Sequence, residues 1–110
     1  MGNPKTRIMY IECKAGALSG QARIGRMTIS KSGRSVEYGG QRFHRTKGYK
    51  WNHLEEETGA HYWISGPRKD GKDRLYASGG QPVAIDEDVR DEYWREIRGI
   101  PQAHNRKTAN

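Results

Sequence analysis

The stretch from Arg23 to Arg45 constrains the fold more than any other part of the chain, because two glycine turns separate three alternating runs. Ser32-Gly33 and Gly39-Gly40 each predict a two-residue hairpin turn, and together they set the register of three antiparallel strands. In that register one apolar row crosses the sheet, formed by Ile29, Val36 and Phe43. Because two independent turns give one consistent apolar face, we predict a three-stranded meander.

One residue of the meander is out of phase with the others. Ile24 does not share the alternation of Met27 and Ile29. One extra residue at Gly25 would restore the alternation, so we predict a β-bulge at that glycine. Because bulges bend sheets, this interpretation favours a strongly curved sheet.

A second hairpin is predicted downstream of the meander, closed by a turn at residues 56–59. A loop of this length pairs Trp51 with Ile64 and His53 with Tyr62. Both faces of the hairpin carry aromatic side chains. We therefore expect it to be covered on both sides or to close a barrel.

The second hairpin leads into a segment that imitates a phosphate-binding loop. Residues 66–72 fit the G-x-x-x-x-G-K pattern. The next position must supply a hydroxyl group for a metal ion, but Asp73 stands there, and the residues after it alternate like a strand. We interpret the segment as a hairpin turn with a basic tip, built on Asp70-Gly71.

The last predicted element is a helix over residues 87–98. Asp86 is its predicted N-cap, an acidic first turn follows, and Gly99 stands where a helix-terminating glycine belongs. Its apolar stripe consists of Val89, Tyr93, Trp94 and Ile97. We expect this helix to lie across the sheet or to plug an open end.

The chain is predicted to be one domain of mainly β structure. We expect a small bent antiparallel sheet, or a partly open β-barrel of about five to seven strands, with one C-terminal α-helix. Residues 9–100 form this domain, residues 1–8 are a flexible N-terminal extension, and residues 101–110 are a disordered tail. The 14 Gly against 4 Pro favour the tight turns of such a fold.

Charge is distributed unevenly along the chain, whose formal net charge is +7. Residues 1–54 carry 11 Lys and Arg side chains against 2 carboxylates, whereas residues 55–110 carry 9 against 11. Such asymmetry indicates a basic surface in the first half that faces an anionic partner.

The basic residues that we predict to share a surface come from the polar face of the meander and from the basic tip. The candidate nucleic-acid-binding residues are Arg26, Arg42, His44, Arg45, Lys47, Lys50, Arg68, Lys69 and Lys72. Tyr49 and Trp51 flank this stretch and would stack on bases if exposed, although the register favours a core position for Trp51 against Ile64. Glu37 reduces the positive charge of this surface, because the register pairs it with Arg42.

These features predict a small binding module whose basic sheet face engages nucleic acid or another polyanion. The alternative is a protein–protein adaptor or regulatory subunit that uses the aromatic hairpin or the acidic helix. An enzyme is the least favoured interpretation, because the acids lie at a turn and a helix start and no nucleophile motif is present. No cofactor is expected, no CxxC or HxxxH spacing predicts a metal site, and the oligomeric state stays open.

Signals for a cellular compartment are few. No run of roughly 20 apolar residues predicts a membrane span, and the first residues lack the apolar core of a secretory signal. The single cysteine, Cys13, lies in an apolar run, which predicts a small core residue rather than a nucleophile. With no internal disulfide available, we expect a cytoplasmic protein that does not bind a membrane.

Three stretches of the chain resemble a known family. They are YIECKAGALSGQARIGRMTISKSGR, YWISGPRKDGKDRLY and IDEDVRDEYWREIR. Over about residues 9–98 the chain resembles a family of small, uncharacterised bacterial proteins whose members often carry the label 1-deoxy-D-xylulose-5-phosphate synthase. That synthase is several times longer and binds thiamine diphosphate in a large α/β architecture, and the GDG motif of thiamine-dependent enzymes is absent here. The resemblance therefore implies a bacterial cytosolic protein whose family is mislabelled.

Overall fold

The protein is mainly β. The computed structural model describes residues 5–14, 22–48, 51–71, 73 and 82–109. The strands among the described residues are β1 (Lys5–Cys13), β2 (Ala22–Ile29), β3 (Ser35–Tyr38), β4 (Gln41–Arg45), β5 (His53–Glu55), β6 (His61–Ser65) and β7 (Val83–Ile85). The C-terminal helix follows as a 3₁₀ turn (Glu87–Val89), an α turn (Arg90–Glu92) and a π turn (Tyr93–Ile97), and a further 3₁₀ turn spans Pro101–Ala103.

Six of the described strands close into an antiparallel barrel. Hydrogen-bonded neighbours follow the order β1-β6-β5-β4-β3-β2, and β2 pairs again with β1. β7 is an extra strand, parallel to the first residues of β2, which pairs Ile85 with Ile24. The predicted small β-barrel with one C-terminal helix is confirmed. Closure removes the exposed strand edges that an open sheet would present.

The meander has the register that its turns predict. Its apolar row is formed by Ile29, Val36 and Phe43. Gly39 and Gly40 have φ angles of 58° and 79°, which a two-residue turn of this hand requires. The first turn is wider than predicted, because the backbone N–H of Ser30 donates to the carbonyl of Ser35 at 3.0 Å and encloses four residues. The two-residue turn and the four-residue turn both pair Ile29 with Val36, so the register is the same.

The predicted β-bulge at Gly25 is wrong. β1 and β2 pair without interruption over residues 5–12 and 22–29. Ile24 is out of phase with the inward-facing residues because it faces outward, where the C-terminal helix buries it completely. Alternation therefore holds along the whole of β2, with one apolar set facing into the barrel and the other facing the helix.

Two apolar cores result from this arrangement. The inner core fills the barrel and consists of Ile11, Met27, Val36, Phe43 and Ile64. The outer core lies between the barrel wall and the C-terminal segment, and its largest buried members are Tyr10, Ile24, Ile85, Val89, Tyr93 and Trp94. Since side chains alternate along a strand, β1 is covered on both faces. The helix lies across the outside of the barrel and plugs neither end.

The second hairpin keeps the predicted register within its strands but departs from it at Trp51. The side-chain amide of Asn52 bonds both the backbone N–H and the carbonyl of Ile64 at 2.8 Å, and so replaces the predicted pairing of Trp51 with Ile64. The Trp51 ring stacks on His61 instead, with ring centroids 4.0 Å apart and planes within 4°. Trp51 is half-buried and belongs to neither core.

Both termini are more structured than the sequence predicts. β1 begins at Lys5, inside the predicted flexible extension, and Ile8 is buried in the outer core. Residues 101–109 are not a disordered tail, because they pair with β7 through backbone hydrogen bonds and bury Ala103 and Ala109. Backbone pairing of this kind does not depend on apolar side chains, so the polar composition of the tail gives no sign of it.

Candidate functional site

Carboxylates neutralise the polar face of the meander, on which three candidate residues are predicted. Arg26 forms an ion pair with Glu92 (2.9 Å) and Arg42 with Glu37 (2.6 Å), and Nε2 of His44 lies 2.9 Å from a carboxylate oxygen of Glu56. All are partly exposed, so solvent screens them and they contribute little to stability. A carboxylate beside each basic group also opposes the approach of a polyanion. The polar face is therefore a poorer candidate than the sequence predicts.

A second set of basic side chains gathers at one end of the barrel, which we call the basic end. Here β2, β4 and β6 finish and β1, β3 and β5 begin. Its exposed members are Lys5, Arg7, Lys31, Arg34, Arg45, Lys47, Arg68 and Lys69. In the short stretches around these residues (5–7, 30–35, 45–48 and 66–71), the one carboxylate is Asp70, which pairs with Arg68 at 3.0 Å. The positive charge of this end is therefore largely uncompensated.

Half of the basic end is predicted from the sequence. The residues common to both sets are Arg45, Lys47, Arg68 and Lys69. Lys5 and Arg7 are missed because they fall in the predicted extension, and Lys31 and Arg34 because they flank a turn. The pairing of β1 with β2 would have revealed them, since it places Lys5 opposite Ile29, next to that turn. The remaining candidates Tyr49, Lys50 and Lys72 lie outside the described residues.

Part of the basic end faces into the mouth of the barrel. Side chains two residues apart on a strand share a face. Arg34 therefore lies on the same face as Val36, and Arg45 on the same face as Phe43, both of the inner core. The backbone N–H of Arg45 donates to the carbonyl of Arg34 at 2.8 Å, so the two arginines are cross-strand neighbours.

Arg7 completes this inward-facing set, which we call the arginine layer (Arg7, Arg34 and Arg45). Arg7 lies opposite Met27, which is fully buried in the inner core. Its guanidinium is 3.9 Å from the point where a β-carbon on Gly66 would stand, so it reaches across to the end of β6. Among the described residues, no member of the arginine layer has an ion-pair partner.

A buried histidine is the cross-strand neighbour of the arginine layer. His53 pairs with Arg45 between β5 and β4 and is 7% exposed. Its Nδ1 lies 2.9 Å from Oδ1 of Asn52, which can only accept, so Nδ1 carries the hydrogen. Burial, followed by the charge of Arg45, lowers the pKa of His53 to about 4. The imidazole is therefore neutral at pH 7.

Acidification should destabilise the protein through His53. The folded-state pKa of about 4 lies below the ordinary value of 6.5, so the unfolded chain binds the extra proton first. The contribution of this group is complete above pH 6.5 and is lost as pH falls toward 4. We expect a loss of up to about 3 kcal/mol in the free energy of unfolding. Urea denaturation at pH 7 and at about pH 4.5 measures it.

His53→Asn is the matched control for this prediction, because asparagine keeps a donor near Asn52 but does not titrate. Between pH 7 and about pH 4.5, the free energy of unfolding of this variant should fall less than that of the wild type. The difference between the two falls should be close to the loss expected from His53. Backbone hydrogen bonds from Glu57 lower the pKa of Glu55, but this group affects both proteins equally. An identical pH dependence in the two proteins would contradict the role given to His53.

The opposite end of the barrel has a different character. A cavity of about 600 Å³ opens there, lined by Ile11, Cys13, Ala22, Arg23, Tyr38, Gln41, Tyr62, Pro82 and Ala84. Arg23 and the hydroxyl of Tyr38 both bond the carboxylate of Asp86, at 2.8 and 2.5 Å. Burial, and then the bond to Asp86, raise the pKa of Tyr38 to about 12. With the acidic turn at residues 55–57, this end lacks the uncompensated positive charge of the basic end.

The segment that imitates a phosphate-binding loop closes on itself. The carboxylate of Asp73 accepts a hydrogen bond from the backbone N–H of Arg68 at 2.6 Å. Burial raises the pKa of this carboxyl group. A backbone donor that a phosphate would need is therefore occupied by the aspartate that stands in the hydroxyl position of the motif.

The described residues meet the requirements of neither a metal site nor a membrane-spanning helix. In the ranges that the structure covers, no group of three or more His, Cys, Asp or Glu side chains is arranged to hold a metal ion. None of the helical segments described above is long and apolar enough to span a membrane.

Comparison with protein-family models, curated proteins and solved structures gives no match to this chain. The family resemblance based on three stretches of sequence therefore stays a prediction. Any assignment of function rests on the geometry and charge of the molecule itself.

Proposed function

We propose that the protein is a binding module that engages nucleic acid through the basic end of its barrel. The observation that carries the proposal is the concentration of eight exposed basic side chains at one end, with Asp70 as the exposed carboxylate among their described neighbours. A cluster that neutralises several phosphates releases their condensed counterions, which supplies most of the non-specific affinity for nucleic acid. The proposal includes the cytoplasmic location expected from the sequence.

The barrel geometry supports an end-on rather than a sheet-face mode of binding. Arg26 and Arg42 on the polar face already have carboxylate partners, so a phosphate must compete with Glu92 and Glu37 for them. At the basic end a phosphate meets exposed cations without that competition. Long-range attraction to such a one-sided charge distribution also orients the protein before contact.

Removing three lysines from the basic end should weaken nucleic-acid binding and its dependence on salt. The variant carries Lys31→Gln, Lys47→Gln and Lys69→Gln, which are exposed positions outside the arginine layer. Each lost phosphate contact reduces the slope of log affinity against log salt by about 1, so we expect a total reduction of about 3. Fluorescence anisotropy with labelled single- and double-stranded DNA and RNA at several salt concentrations measures this slope.

A control variant removes the same formal charge elsewhere. It carries Arg26→Gln, Arg42→Gln and Arg95→Gln, all of which contact a carboxylate in the structure. We expect its salt slope to stay within about 1 of the wild-type value. Equal losses of nucleic-acid affinity in the two variants would show that binding depends only on net charge. A wild-type affinity for heparin equal to that for nucleic acid would show the same. No binding by the wild type at about 50 mM salt would overturn the proposal.

A further inference from the structure

The arginine layer differs from the rest of the basic end in the face of the strands on which its side chains lie. Lys31, Lys47 and Lys69 belong to loops at the rim, whereas the arginine layer continues the inward face of the strands above the inner core. The interior of a barrel of this size is filled by side chains, so no duplex or continuous strand can pass into it. A group that enters between these arginines from the mouth of the barrel must therefore be small or must be the end of a chain.

We propose that the arginine layer binds a terminal phosphate group, so that the nucleic acid docks by a phosphorylated strand end. This inference rests on the proposed function and names the part of the nucleic acid that the site recognises. A terminal phosphate monoester carries close to two negative charges at pH 7 and three free acceptor oxygens. An internal phosphodiester carries one charge, two free oxygens and a nucleoside on either side. The terminal group therefore presents more negative charge and more acceptor oxygens to the arginine layer than an internal phosphodiester does.

The donors of the layer match this group. Each guanidinium presents N–H donors in a planar fork that can bind two phosphate oxygens at once. Arg34 and Arg45 are adjacent on neighbouring strands, and Arg7 approaches from the seam between β1 and β6. Three forks that approach from two sides are suited to a tetrahedral oxyanion. The absence of a side chain at Gly66, which lies beside Arg7, leaves space for it.

The electrostatics of the layer also favour a bound dianion. Like charges held close together repel, and no carboxylate among the described residues compensates these three arginines. His53 pairs with Arg45 but stays neutral, so it neither adds charge nor competes for the anion. A phosphate would relieve the repulsion, and a ligand that binds the folded state preferentially raises its stability.

The test compares short single strands that differ only at one end. We expect a 5′-phosphorylated or a 3′-phosphorylated oligonucleotide to bind about tenfold more tightly than the same strand with hydroxyl ends, which is about the net contribution of one hydrogen bond to a charged group. Arg34→Gln with Arg45→Gln should abolish this ratio. Lys47→Gln with Lys69→Gln should weaken both strands equally and preserve the ratio.

Inorganic phosphate provides a second readout that does not involve a strand. At constant ionic strength, replacing chloride by phosphate should raise the melting temperature of the wild type but not that of the double arginine variant. Urea denaturation verifies that this variant folds, and Arg7→Gln provides an independent variant should it fail to fold. Equal stabilisation of wild type and arginine variants by phosphate would overturn the inference.

The two proposals fail in different ways. If no oligonucleotide binds at about 50 mM salt, the proposed function is wrong and the end-recognition inference falls with it. If phosphorylated and hydroxyl-ended strands bind with equal affinity, the basic end binds nucleic acid but the arginine layer does not recognise its terminus. A phosphate preference that survives in Arg34→Gln with Arg45→Gln would place the recognition elsewhere and overturn the inference alone.

Discussion

Glu12→Gln is expected to lower the free energy of unfolding by about 3–5 kcal/mol, a large part of the total for a domain of this size. The Glu12 side chain is fully buried beside Trp63 of β6 and accepts hydrogen bonds from Lys14 Nζ at 2.7 Å and from the Tyr10 hydroxyl. The Lys14 side chain is 2% exposed. Glutamine keeps the shape of the side chain but leaves the buried ammonium without the carboxylate that it contacts. Removing one partner of a buried ion pair costs far more than the pair contributes.

Two further variants separate the charge effect from the hydrogen bonds. Tyr10→Phe keeps the ion pair and should cost about 1 kcal/mol, the usual net value of one hydrogen bond. Glu12→Gln with Lys14→Met removes the buried ammonium as well as the carboxylate and should be less destabilised than Glu12→Gln alone. Urea denaturation followed by tryptophan fluorescence measures all three. A cost below about 1 kcal/mol for Glu12→Gln would show that the ion pair is not the main partner of the lysine.

The register of the barrel was predictable where turns specify it locally. Gly39-Gly40 favours a two-residue hairpin turn, and the alternation on both sides then determines which residues face each other. The same reasoning failed at Gly25, because it assumed one apolar face per strand. The outward-facing Ile24 was a correct signal of a second core, but the helix that covers it lies more than 60 residues later in the sequence. Alternation alone does not distinguish a bulge from a strand covered on both faces.

The candidate site was harder to predict than the fold for a related reason. Positive charges can be counted in the sequence, but their compensation depends on distant partners. The register predicted that Glu37 opposes Arg42, whereas Glu92 is 66 residues from Arg26 and its contact could not be foreseen. The basic end likewise combines four segments: the meander brings two of them together, and the pairing of β1 with β2 and with β6 adds the others. Net charge therefore led to the prediction of an anionic partner, but it did not indicate which surface carries the uncompensated charge.

Deletion of residues 101–110 is expected to lower the free energy of unfolding by about 2–4 kcal/mol. The indole N–H of Trp94 donates to the carbonyl of Arg106 at 3.0 Å, and a guanidinium N–H of Arg98 donates to the carbonyl of Ala109 at 2.7 Å. Both donors lie in or beside the outer core, so the loss of the two carbonyl acceptors leaves these donors without the hydrogen bonds that they make in the folded protein. The deletion also exposes the apolar surface that Ala109 covers.

The structure and the sequence-based prediction give different expected results for this deletion. A disordered tail contributes nothing to stability, so its removal would leave the urea midpoint unchanged. Gln102→Ala with His104→Ala is the matched control, because both side chains are exposed and the backbone contacts of the tail are retained. We expect this control to stay within about 0.5 kcal/mol of the wild type. If the truncated chain behaved like the control, the outer core would not depend on the tail, and the domain would end near Ile100 as the sequence predicts.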